Sequence, residues 1–149
     1  MSVPPDVVVD ASVAAKWHLI DESHTREASL LRDHFDEGRT NLTAPALIRY
    51  EVANTLRSAA RAGRIDSQEA AREFTRFLSY DIHDSSDSDE LILAAQEIAL
   101  NIGASVYDAL YVAYAVLHGY DLVTADEQLV RQMSGYGVSV HLLSELDLS

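Results

Sequence analysis

Short β-branched apolar runs alternate with longer amphipathic stretches from one end of the chain to the other. That alternation confines the fold to the α/β class, a parallel sheet whose strands are joined through helices. Val7 to Asp10 reads as the first strand. A helix is expected from His24 to Glu37, with Gly38 stopping it, then a short strand over Asn41 to Ala44. Pro45 opens a helix from Ala46 to Ala62, and Asp66 with Glu69 marks the start of another that reaches about Tyr80. Ile82 and His83 make a short third strand. Helices over Asp89 to Asn101 and Val106 to His118 follow, closed by Gly103 and Gly119. Leu122 to Thr124 is the fourth strand, a helix runs on to about Met133, and Val138 to Val140 is the fifth. The expectation is a central parallel sheet of about five strands flanked by helices, in a single domain over residues 1–149.

Four acids matter in that frame. Asp10 ends the first strand, Asp126 follows the fourth, Asp108 lies in the first turn of a helix, and Glu51 lies within Ile48-Arg49-Tyr50-Glu51-Val52-Ala53-Asn54. In open parallel sheets, ligands bind beyond the carboxyl ends of the strands, where Asp10 and Asp126 fall. Each of three acids has an ordinary explanation. Asp10 and Asp126 suit helix caps, and Ser105-Val106-Tyr107-Asp108 has the form of a capping box. Glu51 has none. On a helical wheel Ile48, Val52, Leu56 and Ala59 form the apolar stripe, and Arg57, Arg61 and Arg64 group opposite it. Glu51 falls about 60° from Ile48, on the edge of the stripe, where a carboxylate needs a partner. A divalent cation is one candidate, because two carboxylates about 4 Å apart repel by roughly 4 kcal/mol at an effective dielectric near 20. An acidic cluster with no cysteine and no paired histidines in the chain suits a hard ion, Mg²⁺ or Mn²⁺.

Charge and composition bound the partners. The formal net charge is −13, against the usual pattern for nucleic-acid binders. Yet of the 11 basic residues, Arg49, Arg57, Arg61, Arg64, Arg72 and Arg76 lie in one stretch, which is either a solvated face or a hold on an RNA backbone. No apolar run approaches the roughly 20 residues of a membrane span. The N-terminal Met1-Ser2-Val3-Pro4-Pro5-Asp6 has no signal-peptide pattern. With no cysteine to form disulfides, a cytoplasmic location is expected.

Four stretches, taken in order, carry a resemblance: Val8-Val9-Asp10-Ala11-Ser12, Ala44-Pro45 through Glu51-Val52-Ala53-Asn54, Tyr107-Asp108-Ala109-Leu110-Tyr111-Val112-Ala113 and Val123-Thr124-Ala125-Asp126. From about Val7 to Leu143 the chain resembles the PIN-domain family, and in detail the VapC-type toxins of bacterial toxin–antitoxin pairs; Lys16-Trp17 matches one group of them. The resemblance implies a Mg²⁺-dependent endoribonuclease. Asp10 and Asp108 would be its main metal ligands, Glu51 and Asp126 would complete the catalytic site, and Ser12 and Thr124 would steady the cluster. It also implies a homodimer and a small antitoxin as partner. Tyr107, Tyr111 and Tyr114, at helical spacing, read as a packing or self-association face. The alternative is a non-catalytic module of the same fold that binds RNA or a protein. Receiver and haloacid-dehalogenase folds fit poorly. Lys16 is the only lysine, and Asp10-Ala11-Ser12 stands where the latter have Asp-x-Asp.

Overall fold

The structure, a computed structural model, describes residues 2–133 and 135–149, so Met1 of the N-terminal stretch lies outside the described residues. Strand β1 (Asp6–Val9) is followed by α1 (Ala11–Ala14), which tightens into a 3₁₀ turn over Ala15–Trp17, and by α2 (Thr25–Asp36). Then come β2 (Asn41–Thr43), α3 (Leu47–Arg61), α4 (Ser67–Ser79), α5 (Asp89–Ile102) and α6 (Val106–His118). The chain ends with β3 (Asp121–Thr124), α7 (Glu127–Gln132), β4 (Val140–Leu142) and a 3₁₀ turn over Leu143–Glu145.

The sheet has four parallel strands in the order β2-β1-β3-β4. Val7, Val8 and Val9 are all fully buried. Successive side chains of a strand face opposite sides, so both faces of the sheet are covered, as a parallel sheet requires. Helix α6 packs on β1 and β3 and is buried over Ala109–Ala115, which explains its nearly unbroken apolar sequence. Among the described residues no single helix is long and apolar enough to cross a membrane.

Two strand expectations change. Ile82 and His83 do not form a strand. A single parallel bridge joins Ala44 to His83, held by Ala44 N–H to Ile82 O (2.9 Å) and Asp84 N–H to Ala44 O (3.0 Å). Asp81 just before it has φ +53°, so the extended segment is too short to propagate a ladder. The last strand lies at Val140–Leu142 instead of Val138–Val140. A two-residue slide keeps the same side chains on the same face, so the alternating pattern could not tell the two apart.

Strand order is what positions the site. The chain leaves β1 toward β2 on one side and later places β3 on the other. This reversal opens a crevice beyond the carboxyl ends of β1 and β3. Asp10 follows the first of these strands directly, and Asp126 follows the second after one residue.

Candidate active site

Asp10 is both a cap and the best-held acid of the crevice. Its Oδ1 accepts from Val13 N–H (3.3 Å) at the start of α1 and from the Ser12 hydroxyl (2.5 Å). Its Oδ2 accepts from the Thr124 hydroxyl (2.5 Å) at the end of β3. The two hydroxyls also tie the strand ends together. Ser12 Oγ accepts from Ala125 N–H (2.9 Å), and Thr124 Oγ1 accepts from Asp126 N–H (3.0 Å). The steadying role expected of Ser12 and Thr124 is therefore visible as four hydrogen bonds, which leave the Asp10 side chain little freedom to rotate.

Asp126 caps α7 through one oxygen, its Oδ1 accepting from Gln128 N–H (2.9 Å) and Leu129 N–H (3.3 Å). Among the described residues its other oxygen makes no hydrogen bond. Asp108 sits in the first turn of α6, its N–H donating to Ser105 Oγ (3.1 Å). The cap expected of Asp126 is thus present, of the capping box at Ser105–Asp108 only the Ser105 half is, and neither consumes the whole carboxylate.

Glu51 has a partner that sequence reasoning missed. The Tyr111 hydroxyl donates to its Oε1 at 2.6 Å, and Tyr111 is only 2 % exposed. A metal is therefore not needed to account for Glu51 on the edge of the apolar stripe of α3. The three tyrosines of α6 do not form one packing face. Tyr111 holds Glu51, Tyr114 donates to Asp84 (2.5 Å), and Tyr107 is 64 % exposed. Asp108 and Tyr111 are three apart on one helix, hence neighbours on its surface. That spacing was the available signal.

The carboxylates disturb one another. Burial, and to a lesser degree Asp108, raises the Asp10 pKa above its ordinary value, against the lowering effect of its hydrogen bonds. Glu51 is raised by burial first and then by Asp108 and Asp10, with Tyr111 opposing. Asp108 is raised by burial and then by Asp126. Asp10, Glu51 and Asp108 are thus brought within electrostatic reach of each other, and Asp126 within reach of Asp108. They do not close into a cage: among the described residues no three acidic or histidine side chains stand close enough to hold one ion jointly. Beside them opens a cleft of about 420 Å³, lined by Ser12, Glu22, Tyr50, Glu51, Asn54 and Tyr107 among others. Asp10, Asp108 and Asp126 lie outside that lining.

Removing the hydroxyl of Tyr111 tests the Glu51 arrangement. Tyr111→Phe leaves the packing in place but strips a half-buried carboxylate of its donor, so the Glu51 pKa rises further. If Glu51 must be ionised for activity, the acidic limb of the pH–rate profile moves to higher pH, and the rate on that limb falls about tenfold for each unit it moves. An unmoved limb would remove Glu51 from the ionisations that govern the rate.

Of the basic stretch, Arg64 is engaged within the protein. It makes a two-pronged ion pair with Asp21 (2.6 and 2.7 Å) and reaches Glu22 (3.0 Å). Arg76 lies 3.7 Å from Glu73. Among the described residues Arg57 and Arg61 form no ion pair, and both are exposed.

Comparison with known proteins agrees with this architecture. The PIN domain family model matches residues 7–133. Exonuclease VapC9 of Pyrobaculum aerophilum is 30 % identical over 119 residues, covering 79 % of this chain and 86 % of that protein. Ribonuclease VapC3 of the same organism is 33 % identical over 130 residues, covering 85 % and 93 %. The crystal structure of PAE2754, also from Pyrobaculum aerophilum, superposes with a TM-score of 0.63 at 28 % identity, covering 94 % of this chain and 92 % of that one.

Proposed function

The chain belongs to the PIN-domain family, in its VapC-type branch, and from that premise we propose that it is a Mg²⁺-dependent endoribonuclease, the toxin of a toxin–antitoxin pair. The observation that carries the reading is the placement of Asp10 and Asp126 just beyond the ends of β1 and β3, with Glu51 and Asp108 within electrostatic reach, so that burial and mutual repulsion raise Asp10, Glu51 and Asp108. A fold keeps such a set where a cation or a substrate proton offsets the repulsion.

The donor set fits the ion. It is made of oxygen alone, and Mg²⁺ commonly binds through one or two carboxylates while keeping several waters, so a three-carboxylate cage is not required. Asp10 and Asp108 are the residues we assign to hold it, with Glu51 and Asp126 completing the site directly or through water; Mn²⁺ would fit the same donors. When bound, the ion would offset negative charge developing on the scissile phosphate and lower the pKa of an attacking water. The chain's own part is positional. Ser12 and Thr124 fix Asp10. Tyr111 fixes Glu51 beside Asp10 and Asp108, whose charges together with burial raise its pKa. Asp126 keeps one oxygen clear of its capping bonds.

The names of the two relatives divide between exonuclease and ribonuclease, so the mode of cutting is the point to test. A circularised RNA has no ends. We expect it to be opened in Mg²⁺ and left intact in EDTA. Degradation of linear RNA with the circle untouched would make the protein an exonuclease. RNA binding without cleavage of either form would support the non-catalytic module. The same reading includes a cytoplasmic location, a small antitoxin that covers the crevice, and a homodimer. Apolar surface for self-pairing is present at Leu93 and Leu100 on α5 and at Val116 and Leu117 on α6, all exposed.

A further inference from the structure

Helix α3 carries a second feature, distinct from the acids. Tyr50, Asn54, Arg57 and Arg61 recur at spacings of four, three and four, which sets them within about 60° of one another on the helix surface. All four are exposed. The stripe runs about 16 Å along the helix. At one end Tyr50, 70 % exposed, lines the acidic cleft with Asn54 and faces Arg49, whose guanidinium carbon lies 5.8 Å from the ring centre. At the other end Arg57 and Arg61 line a separate cleft of about 470 Å³ between α3 and α4, with Ser67 and Ala70 across from them. In a chain of net charge −13, two exposed arginines that share one cleft and form no ion pair among the described residues are a local positive spot.

We propose that the α3–α4 cleft is a phosphate-binding site for the RNA strand, and that Tyr50 is a stacking surface leading the strand from that cleft to the acidic crevice. This rests on the ribonuclease reading and assigns it a path. The chemistry is complementary at both ends. Paired guanidinium groups suit phosphate oxygens, with the Ser67 hydroxyl as a further donor. An exposed aromatic ring at the mouth of a cleft suits the face of an unstacked base, and stacking tolerates any sequence. It also accounts for substrate capture by a protein whose total charge repels RNA: the path needs only a local positive track. Arg64, locked to Asp21 and Glu22, is not part of it.

The test is the salt dependence of binding of a fluorescein-labelled single-stranded RNA of about a dozen mixed nucleotides, in EDTA so that nothing is cut. Arg57→Gln with Arg61→Gln is expected to reduce the slope of log K against log salt by about 1.4, two phosphate contacts on a single strand. Arg39→Gln, at the amino-terminal side of β2, is expected to leave the slope unchanged. Tyr50→Ala is expected to weaken binding about tenfold or more, and Tyr50→Phe to retain it. All four positions are exposed, and circular dichroism checks that each variant is folded. An unchanged slope in the double variant overturns the site and returns the cleft to a protein partner. Equal binding by Tyr50→Ala and wild type overturns the path. If wild type opens the circular RNA while these variants bind normally, only the path falls. If wild type neither binds nor cuts RNA, the ribonuclease reading falls with it.

Discussion

Asp108→Asn is expected to reduce RNA cleavage about 10³-fold and, in metal-free protein at neutral pH, to raise the melting temperature. The two effects have one cause. Asp108 is held above its ordinary pKa by burial and by Asp126, so its ionised form costs the native state free energy that the unfolded chain does not bear. An amide of the same shape removes that cost together with the charge on which activity depends. A carboxylate whose only role was to cap α6 would behave in the opposite way; here Ser105 Oγ accepts the Asp108 N–H, a backbone bond that the variant keeps. Asp10→Asn should lose as much activity without the gain in stability. Both Asp10 oxygens accept hydrogen bonds from donors, and an amide offers one accepting oxygen and an NH₂ group that faces a hydroxyl or N–H already donating. Cleavage rates of the two variants in Mg²⁺ and their thermal melts in EDTA check this. A melting temperature for Asp108→Asn below wild type would show that the crevice is not under repulsive strain. Full activity in either variant would remove that acid from the site.

These asymmetries explain why the sequence revealed some features and not others. The bounds of α6 were legible to the residue because Ser105 and Gly119 mark its ends locally; Gly119 takes φ +70°, which a side chain would disfavour. β1 and β3 were legible because a short apolar run, Val7-Val8-Val9 in one and Leu122-Val123 in the other, closed by a polar residue, has few other uses. Ile82-His83 was not, since whether two extended residues become a strand depends on how far the partner edge beyond Ala44 runs beside them. Three of the acids were found because strand ends and helix starts are local features. Tyr111 was missed because its bond to Glu51 spans 60 positions and exists only once α3 lies against α6. Arg64 misled for the same reason. Its helical position groups it with Arg57 and Arg61, but the loop after the first 3₁₀ turn brings Asp21 and Glu22 to it. Local chemistry located the acids of the crevice, and non-local packing decided which of them are already engaged.

In the metal-free protein the crevice carboxylates should withdraw stability as pH rises from about 4 toward neutrality, and Mg²⁺ should offset that loss. Asp10, Glu51 and Asp108 all have folded pKa values above those of the unfolded chain. Below about pH 4 these groups are protonated in both states, and their contribution is fully present. As pH climbs through the folded values the native state must ionise groups it would keep neutral, and that stability is lost. His18 acts in the other direction. Burial lowers its pKa, so below about pH 6.5 it favours the unfolded chain and its contribution is recovered as pH rises. The comparison of wild type with Asp108→Asn cancels His18. The difference in unfolding free energy should be near zero at pH 4 and open steadily, in favour of the variant, as Asp108 ionises in wild type. On the proposed reading Mg²⁺ binds the ionised form, so its stabilisation should grow with pH over the same window, reaching about 2.7 kcal/mol at a hundred times its Kd. Denaturant melts across pH, with EDTA or Mg²⁺, measure both. A wild-type curve that rises with pH in EDTA as steeply as the variant's would mean that these carboxylates are not destabilised by the fold, and the case for a cation at the crevice would lose its electrostatic basis.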